Sequence, residues 1–133
     1  MVEKIQKLRF NNPYSYDHFL AESANAVTQL VKSFKTGDDI GAVLSISQNR
    51  QALRKLGEHA GVSIETLKLT KLCDVAERFG HSKSSGAGGG DCGIAFICNN
   101  QFKRLHDAWI EEDILPLNLN VSQTGLIVTK MKV

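Results

Sequence analysis

Apolar residues recur every three or four positions through the first eighty residues, and the pattern then shifts to short apolar runs and strict alternation. Val2, Ile5 and Leu8 mark a short helix over residues 1–9, broken at Asn11-Asn12-Pro13. Ser15 is placed to cap a second helix, with Asp17 in its first turn, where a carboxylate meets the positive end of the helix dipole. Phe19, Leu20, Val27, Leu30, Val31 and Phe34 form the apolar stripe of that helix, and Gly37 ends it. Asp38 or Asp39 opens a third helix with Ile40, Val43, Leu44, Leu53 and Leu56 inward, and Gly57 and Gly61 crowd its end. Thr66 caps a fourth, carried by Leu69, Leu72, Val75, Ala76 and Phe79 and closed by Gly80.

Residues 93–98 read as a buried strand, short, apolar and bounded by Asn99-Asn100. Phe102, Leu105, Ala108, Trp109 and Ile110 give one more amphipathic helix. Over residues 115–121, Leu115, Leu117, Leu119 and Val121 alternate with Pro116, Asn118 and Asn120, as in a half-buried strand. Pro116 restricts it to an edge or a start position. Residues 122–125 then turn the chain, and 126–133 alternate again as a hairpin partner. The expected class is α+β, with helices packed on one face of a small antiparallel sheet. No internal repeat is visible.

With 133 residues, 42% of them hydrophobic, the chain can bury one core, so residues 1–133 form one domain. The formal net charge of +2, from 16 basic and 14 acidic residues mixed along the sequence, leaves no basic stripe for nucleic acid and no polybasic membrane segment. No apolar run approaches the roughly 20 residues of a membrane span, and no signal-like stretch opens the chain. Cys73, Cys92 and Cys98 show no metal-ligand spacing and read as reduced thiols, so the expected location is the cytoplasm and no metal site is assigned. His18, His59, His81 and His106 are scattered and read as helix-surface or loop residues.

Chemistry concentrates in Lys83-Ser84-Ser85-Gly86-Ala87-Gly88-Gly89-Gly90-Asp91-Cys92-Gly93, which holds five of the 11 glycines. Ordering glycine is entropically costly, so such a cluster implies unusual backbone angles or close approach to a ligand. Exposed N–H groups beside a lysine and two hydroxyls suit a phosphate. A flexible linker is the bland alternative, yet linkers rarely run straight into a buried strand. The literal G-x-G-x-x-G match at 88–93 fails as a dinucleotide fingerprint, because the segment is read as following a helix and opening a strand. A P-loop would place its lysine after the glycines, and Lys83 precedes them.

Lys83 is the first candidate for a phosphate contact, against the alternative of a solvated loop lysine. Ser84 and Ser85 can donate hydroxyl hydrogen bonds or cap the turn locally. Gly86, Gly88, Gly89 and Gly90 permit the loop's shape and offer N–H groups, and Ala87 leaves room for a ligand. Asp91 is read as holding loop N–H groups in place, since a carboxylate aimed at phosphate would repel it. Cys92 reads as a small packing residue and Trp109 as core. Asn49 and Arg50 lie on a helix, where an arginine can reach an anion bidentately or simply be solvated.

The glycine segment with Ile94-Ala95 resembles the third, C-terminal motif of the GHMP small-molecule kinases, and its Gly90-Asp91-Cys92-Gly93 ending resembles the bacterial phosphomevalonate kinase branch. The resemblance extends upstream through Phe19-Leu20-Ala21-Glu22-Ser23, Asn49-Arg50 and Ile64-Glu65-Thr66, and downstream through Trp109 to Ile114-Leu115-Pro116-Leu117. It implies a partial, ferredoxin-like C-terminal domain whose first strand would lie before Met1. It also implies an N-terminal kinase domain, carrying the Pro-x-x-x-Gly-Leu-Gly-Ser-Ser-Ala nucleotide loop and the acceptor-side acid, neither of which occurs in these residues. The implied activity of the intact enzyme is transfer of the γ-phosphoryl group of ATP, with Mg²⁺, to (R)-5-phosphomevalonate in the mevalonate route to isoprenoids.

On that footing this chain supplies phosphate-binding residues Lys83, Ser84, Ser85, Gly86, Ala87, Gly88, Gly89 and Gly90, with Asn49 and Arg50 added by the resemblance. It holds no catalytic residue and is inactive alone. Its partners are a phosphorylated small molecule and the missing domain, and an exposed sheet edge predicts self-association. Two alternatives stand beside this: a non-catalytic anion-binding or interaction module that keeps the fold, and a mevalonate kinase relative, which Asp91 disfavours.

Overall fold

Side-chain caps from Asn12, Asp38 and Thr66 start three of the helices. The computed structural model describes residues 1–86, 88–120 and 122–125. Its elements are α1 (Val2–Asn11), α2 (Pro13–Thr36), α3 (Asp39–Ala60), α4 (Leu67–Ala76), β1 (Gly80–Ser84), β2 (Gly93–Ile97) and α5 (Phe102–Glu111), the last entered through a 3-10 turn at Asn99–Gln101. The Asp38 carboxylate accepts from Gly41 N–H at 2.9 Å and the Thr66 hydroxyl from Leu69 N–H at 3.3 Å, caps worth about 1 kcal/mol each. Gly37 and Gly61 close α2 and α3 in the left-handed conformation that favours glycine. The cap of α2 is Asn12, not Ser15. The Asn12 side chain accepts from Ser15 N–H at 3.2 Å, because Pro13 at the first helical position moves the start upstream.

α2 and α3 fold back on each other across Gly37-Asp38, and theirs is the most extensive helix contact among the described residues. Many of the buried positions are small, Ala26 and Ser33 on α2 and Ala42, Ser45 and Ala52 on α3, beside the larger Ile46, Arg50 and Leu56 of α3. The apolar stripes expected to face inward do so only in part: Leu56 is buried, and Phe19, Leu30, Val43 and Leu53 are half-buried. Leu20, Val27, Val31 and Phe34 of α2 and Ile40 and Leu44 of α3 are all exposed. Small side chains at the contact suit a close approach of the two helix backbones.

The architecture is α+β, helices against a small antiparallel hairpin. β1 pairs with β2 in the register Gly80↔Ile97, Ser82↔Ala95 and Ser84↔Gly93. Ala95 and Ile97 pack with Phe79 and Trp109 on a cluster of Val75, Ala76, Leu105 and Ala108, so α4 and α5 cover that sheet face. A second cluster of Leu8, Leu56 and Ile64 joins α1 to α3 and to the connection that follows it.

Two expectations about the sheet need correcting. The glycine segment does not follow a helix: α4 ends at Ala76, Gly80 opens β1, and the loop joins two antiparallel strands. Residues 114–120 form no regular element, and Leu115, Leu117 and Leu119 are exposed. The alternation there has no sheet to pack against among the described residues. Val121 and the expected strand over 126–133 lie outside the described residues. No helix among the described residues is long and apolar enough to cross a membrane.

Candidate functional site

Alternation along β1 decides which way each side chain faces. Ser82 and Ser84 are buried, and the Ser82 hydroxyl donates to the Cys73 carbonyl at 3.1 Å, tying β1 to α4. His81 and Lys83 occupy the other face, opposite Phe96 and Ile94 of β2. The Phe96 ring lies 6.3 Å from that of Phe34 on α2. Lys83 is half-buried and its ammonium donates to the Ser84 carbonyl at 2.6 Å. Burial holds its pKa below the ordinary lysine value. The Nδ1 atom of His81 is buried without a hydrogen-bond partner among the described residues. The sequence reads His81 as a helix-surface or loop residue; it lies instead in β1, on the same face as Lys83.

The loop leaves the strands through a closed base. Ser85 N–H donates to the Cys92 carbonyl at 3.0 Å, and the buried Ser84 hydroxyl donates to the Gly86 carbonyl at 3.2 Å. Gly88 and Gly89 take φ of 85° and 71°, a conformation that a side chain makes costly. A Cβ on Gly88 would also collide with the side chain and carbonyl of Ile64. Gly89 N–H donates to that same carbonyl at 2.6 Å. Ser85, Gly86, Gly89, Gly90, Asp91 and Cys92 are exposed, and Ala87 lies outside the described residues. A cleft of about 390 Å³ opens beside the loop, with Lys4, Ser63, Thr66 and Gly89 in its lining.

Two residues do not take the roles read from sequence. Asp91 makes no hydrogen bond to the described loop residues; Ser84 and Ile64 brace the loop in its place. Cys92 is exposed rather than packed.

Arg50 is buried, and carboxylates from three points of the chain take up its guanidinium. Nε and Nη2 donate to the two oxygens of Glu65 at 2.9 and 2.6 Å, Nη2 also reaches Asp74 at 2.9 Å, and Nη1 donates to Glu77. The hydrogen bond to Glu65 is the main cause raising its pKa, so the side chain stays charged. It therefore faces carboxylates and is not presented to a substrate anion. Asn49 bridges helices: its Nδ2 donates to the Ser23 hydroxyl at 3.1 Å.

Among the described residues no three His, Cys, Asp or Glu side chains are grouped to hold a metal. The loop presents an exposed glycine backbone, braced at its base and at Gly89.

Comparison with known proteins bears on the family and the fold. Residues 26–112 match the family model described as GHMP kinases C terminal. The chain is 33% identical over 130 residues to a phosphomevalonate kinase of Streptomyces sp. (strain CL190), covering 95% of this chain and 35% of that protein. The crystal structure of a Lin0012 protein from Listeria innocua superposes with a TM-score of 0.80 at 38% identity, over 84% of this chain and 32% of the other. The chain thus spans about a third of the length of each relative.

Proposed function

Because the chain belongs to the GHMP kinase family, matching its C-terminal domain, we propose that it serves as the C-terminal part of a phosphomevalonate kinase. The reaction is transfer of the γ-phosphoryl group of ATP to (R)-5-phosphomevalonate, giving the 5-diphosphate and ADP. The observation that carries this reading is the loop at 85–92, held at its base and at Gly89 and exposed at Ser85, Gly86 and Gly90. It lies within a sequence 33% identical to the Streptomyces enzyme.

In such a transfer the protein contributes positioning and charge stabilisation rather than covalent chemistry. Loop N–H groups other than those of Ser85 and Gly89, with the Ser85 hydroxyl, meet phosphoryl oxygens, and Lys83 at the loop end of β1 adds positive charge once an anion favours its protonated form. Mg²⁺ would neutralise nucleotide phosphate charge; the described residues group no ligands for it, so no step is assigned to it on this chain. Nucleotide binding and acceptor activation belong to the rest of the enzyme.

The test is coupled ADP release with ATP, Mg²⁺ and phosphomevalonate. We expect no turnover from the chain by itself, and turnover when it is mixed with the remaining portion of a phosphomevalonate kinase. Turnover by the chain alone would refute the division of labour. Failure of the mixture, with both parts folded and associated, would leave a non-catalytic anion-binding module as the better description.

A further inference from the structure

We propose that the Arg50–Glu65 ion pair is a positioning device for the glycine loop, acting through the carbonyl of Ile64. This rests on reading the loop as the anion-contacting element and adds the part that sets its geometry.

The path consists of adjacent contacts. Arg50 on α3 grips both carboxylate oxygens of Glu65, and the two side chains are only 5% and 8% exposed. Glu65 lies in the connection between α3 and α4, which is fixed at neighbouring points. Val62 N–H donates to the Gly57 carbonyl at 2.9 Å, the Ser63 hydroxyl donates to the Glu65 carbonyl at 3.1 Å, and Thr66 caps α4. Ile64, 3% exposed, packs its side chain in the cluster with Leu8 and Leu56 and against Gly88. Its carbonyl is thereby aimed outward at the loop, where it accepts from Gly89 N–H at 2.6 Å. Gly88 packs so closely on Ile64 that no Cβ fits between them. The tip of the loop therefore rests on one peptide group, held by the core on one side and by a buried ion pair on the other.

Arg50 and Glu65 touch no substrate in this scheme. They hold the residue that holds the loop. A bidentate arginine–carboxylate pair suits the task because its planar fork fixes orientation as well as distance. Asp74 and Glu77 share the same guanidinium but belong to α4 and its C-terminal cap, away from Ile64 in sequence, so they provide an internal control.

The experiment is amide hydrogen exchange read by NMR, combined with titration by inorganic phosphate. In the unaltered chain, after correction for intrinsic rates, Gly89 should exchange at least about tenfold slower than Gly86 and Gly90, because its N–H is bonded and local opening sets the rate. Equal rates at the three glycines would overturn the proposal without any variant being needed. In Glu65→Gln, Gly89 should accelerate at least about tenfold relative to amides of the β1–β2 ladder, while Asp74→Asn should leave that ratio unchanged. Equal effects from the two substitutions would reduce Arg50 to a general structural anchor and sink the idea. Phosphate addresses the other reading separately. If it shifts no loop amide while Glu65→Gln still frees Gly89, the anion role fails and the positioning role stands. If phosphate binds and Glu65→Gln changes neither exchange nor affinity, the positioning role fails alone.

Discussion

The indole N–H of Trp109 donates to the carbonyl of Leu72 at 3.0 Å, so the single tryptophan of the chain ties α5 to α4 as well as packing on the sheet. Trp109→Phe keeps a large ring but leaves that carbonyl without its donor. The loss should be about 1–3 kcal/mol, seen in urea unfolding followed by circular dichroism. An unchanged midpoint would mean that water replaces the indole at no cost.

Removing Arg50 strands carboxylates instead of a carbonyl. Arg50→Met leaves Glu65 buried beside Asp74 and Glu77 with no positive partner at their centre. Breaking a buried ion pair from one side typically costs about 3–5 kcal/mol, and the same cost is expected here in the unfolding free energy. A loss below about 1 kcal/mol, the range of a surface pair, would show that the cluster is effectively solvated.

Lys83 gives stability a pH dependence with a definite sign. Burial holds its folded pKa below the ordinary 10.5, so between the two values the unfolded chain binds more protons than the folded one. Folding therefore gains as pH rises through that window, and the burial penalty is fully present only below it. The difference in urea midpoint between the unaltered chain and Lys83→Met should move in favour of the unaltered chain as pH rises toward 10.5. A flat difference would place the ammonium in water. Phosphate bound nearby should oppose the trend by favouring the charged form.

Thiol accessibility offers an independent check on the packing of α4. Cys73 is fully buried, and burial pushes its thiol pKa up, whereas Cys92 and Cys98 are exposed. An alkylating reagent under native conditions should label Cys92 and Cys98 promptly and Cys73 only after unfolding, as read by peptide mass spectrometry. Prompt labelling of Cys73 would contradict the seating of β1 on α4.

The helix boundaries at Gly37, Asp38 and Thr66 were legible because their signals are local, whereas the start of α2 and the end of α4 were not. Asp38, Thr66 and Gly37 sit where cap chemistry requires, and each acts within four residues of its own position. β1 was illegible for the opposite reason. Gly-His-Ser-Lys-Ser carries no apolar alternation, and its buried face is two serines, one bonded to a helix carbonyl nine residues away. The glycine loop was recognised from composition, but its support was not, because Ile64 and Gly89 are brought together only by the tertiary fold. The surroundings of Arg50 were illegible for the same reason: no spacing rule joins positions 50, 65, 74 and 77 around one guanidinium. Helical period also located the apolar stripe of α2 without telling which face the small residues Ala26 and Ser33 would bury.

The helical hairpin across Gly37-Asp38 has a consequence for the order of assembly. Its two long helices meet through a tight turn, so their pairing closes a short loop and has little chain entropy to overcome. The bond between Ile64 and Gly89 joins residues on opposite sides of α4 and β1, and it requires both the helical connection and the strand pair to be in place. Helices should thus form early in folding and the glycine loop acquire its shape late. On warming the order should reverse, the loop opening while most of the helix signal remains.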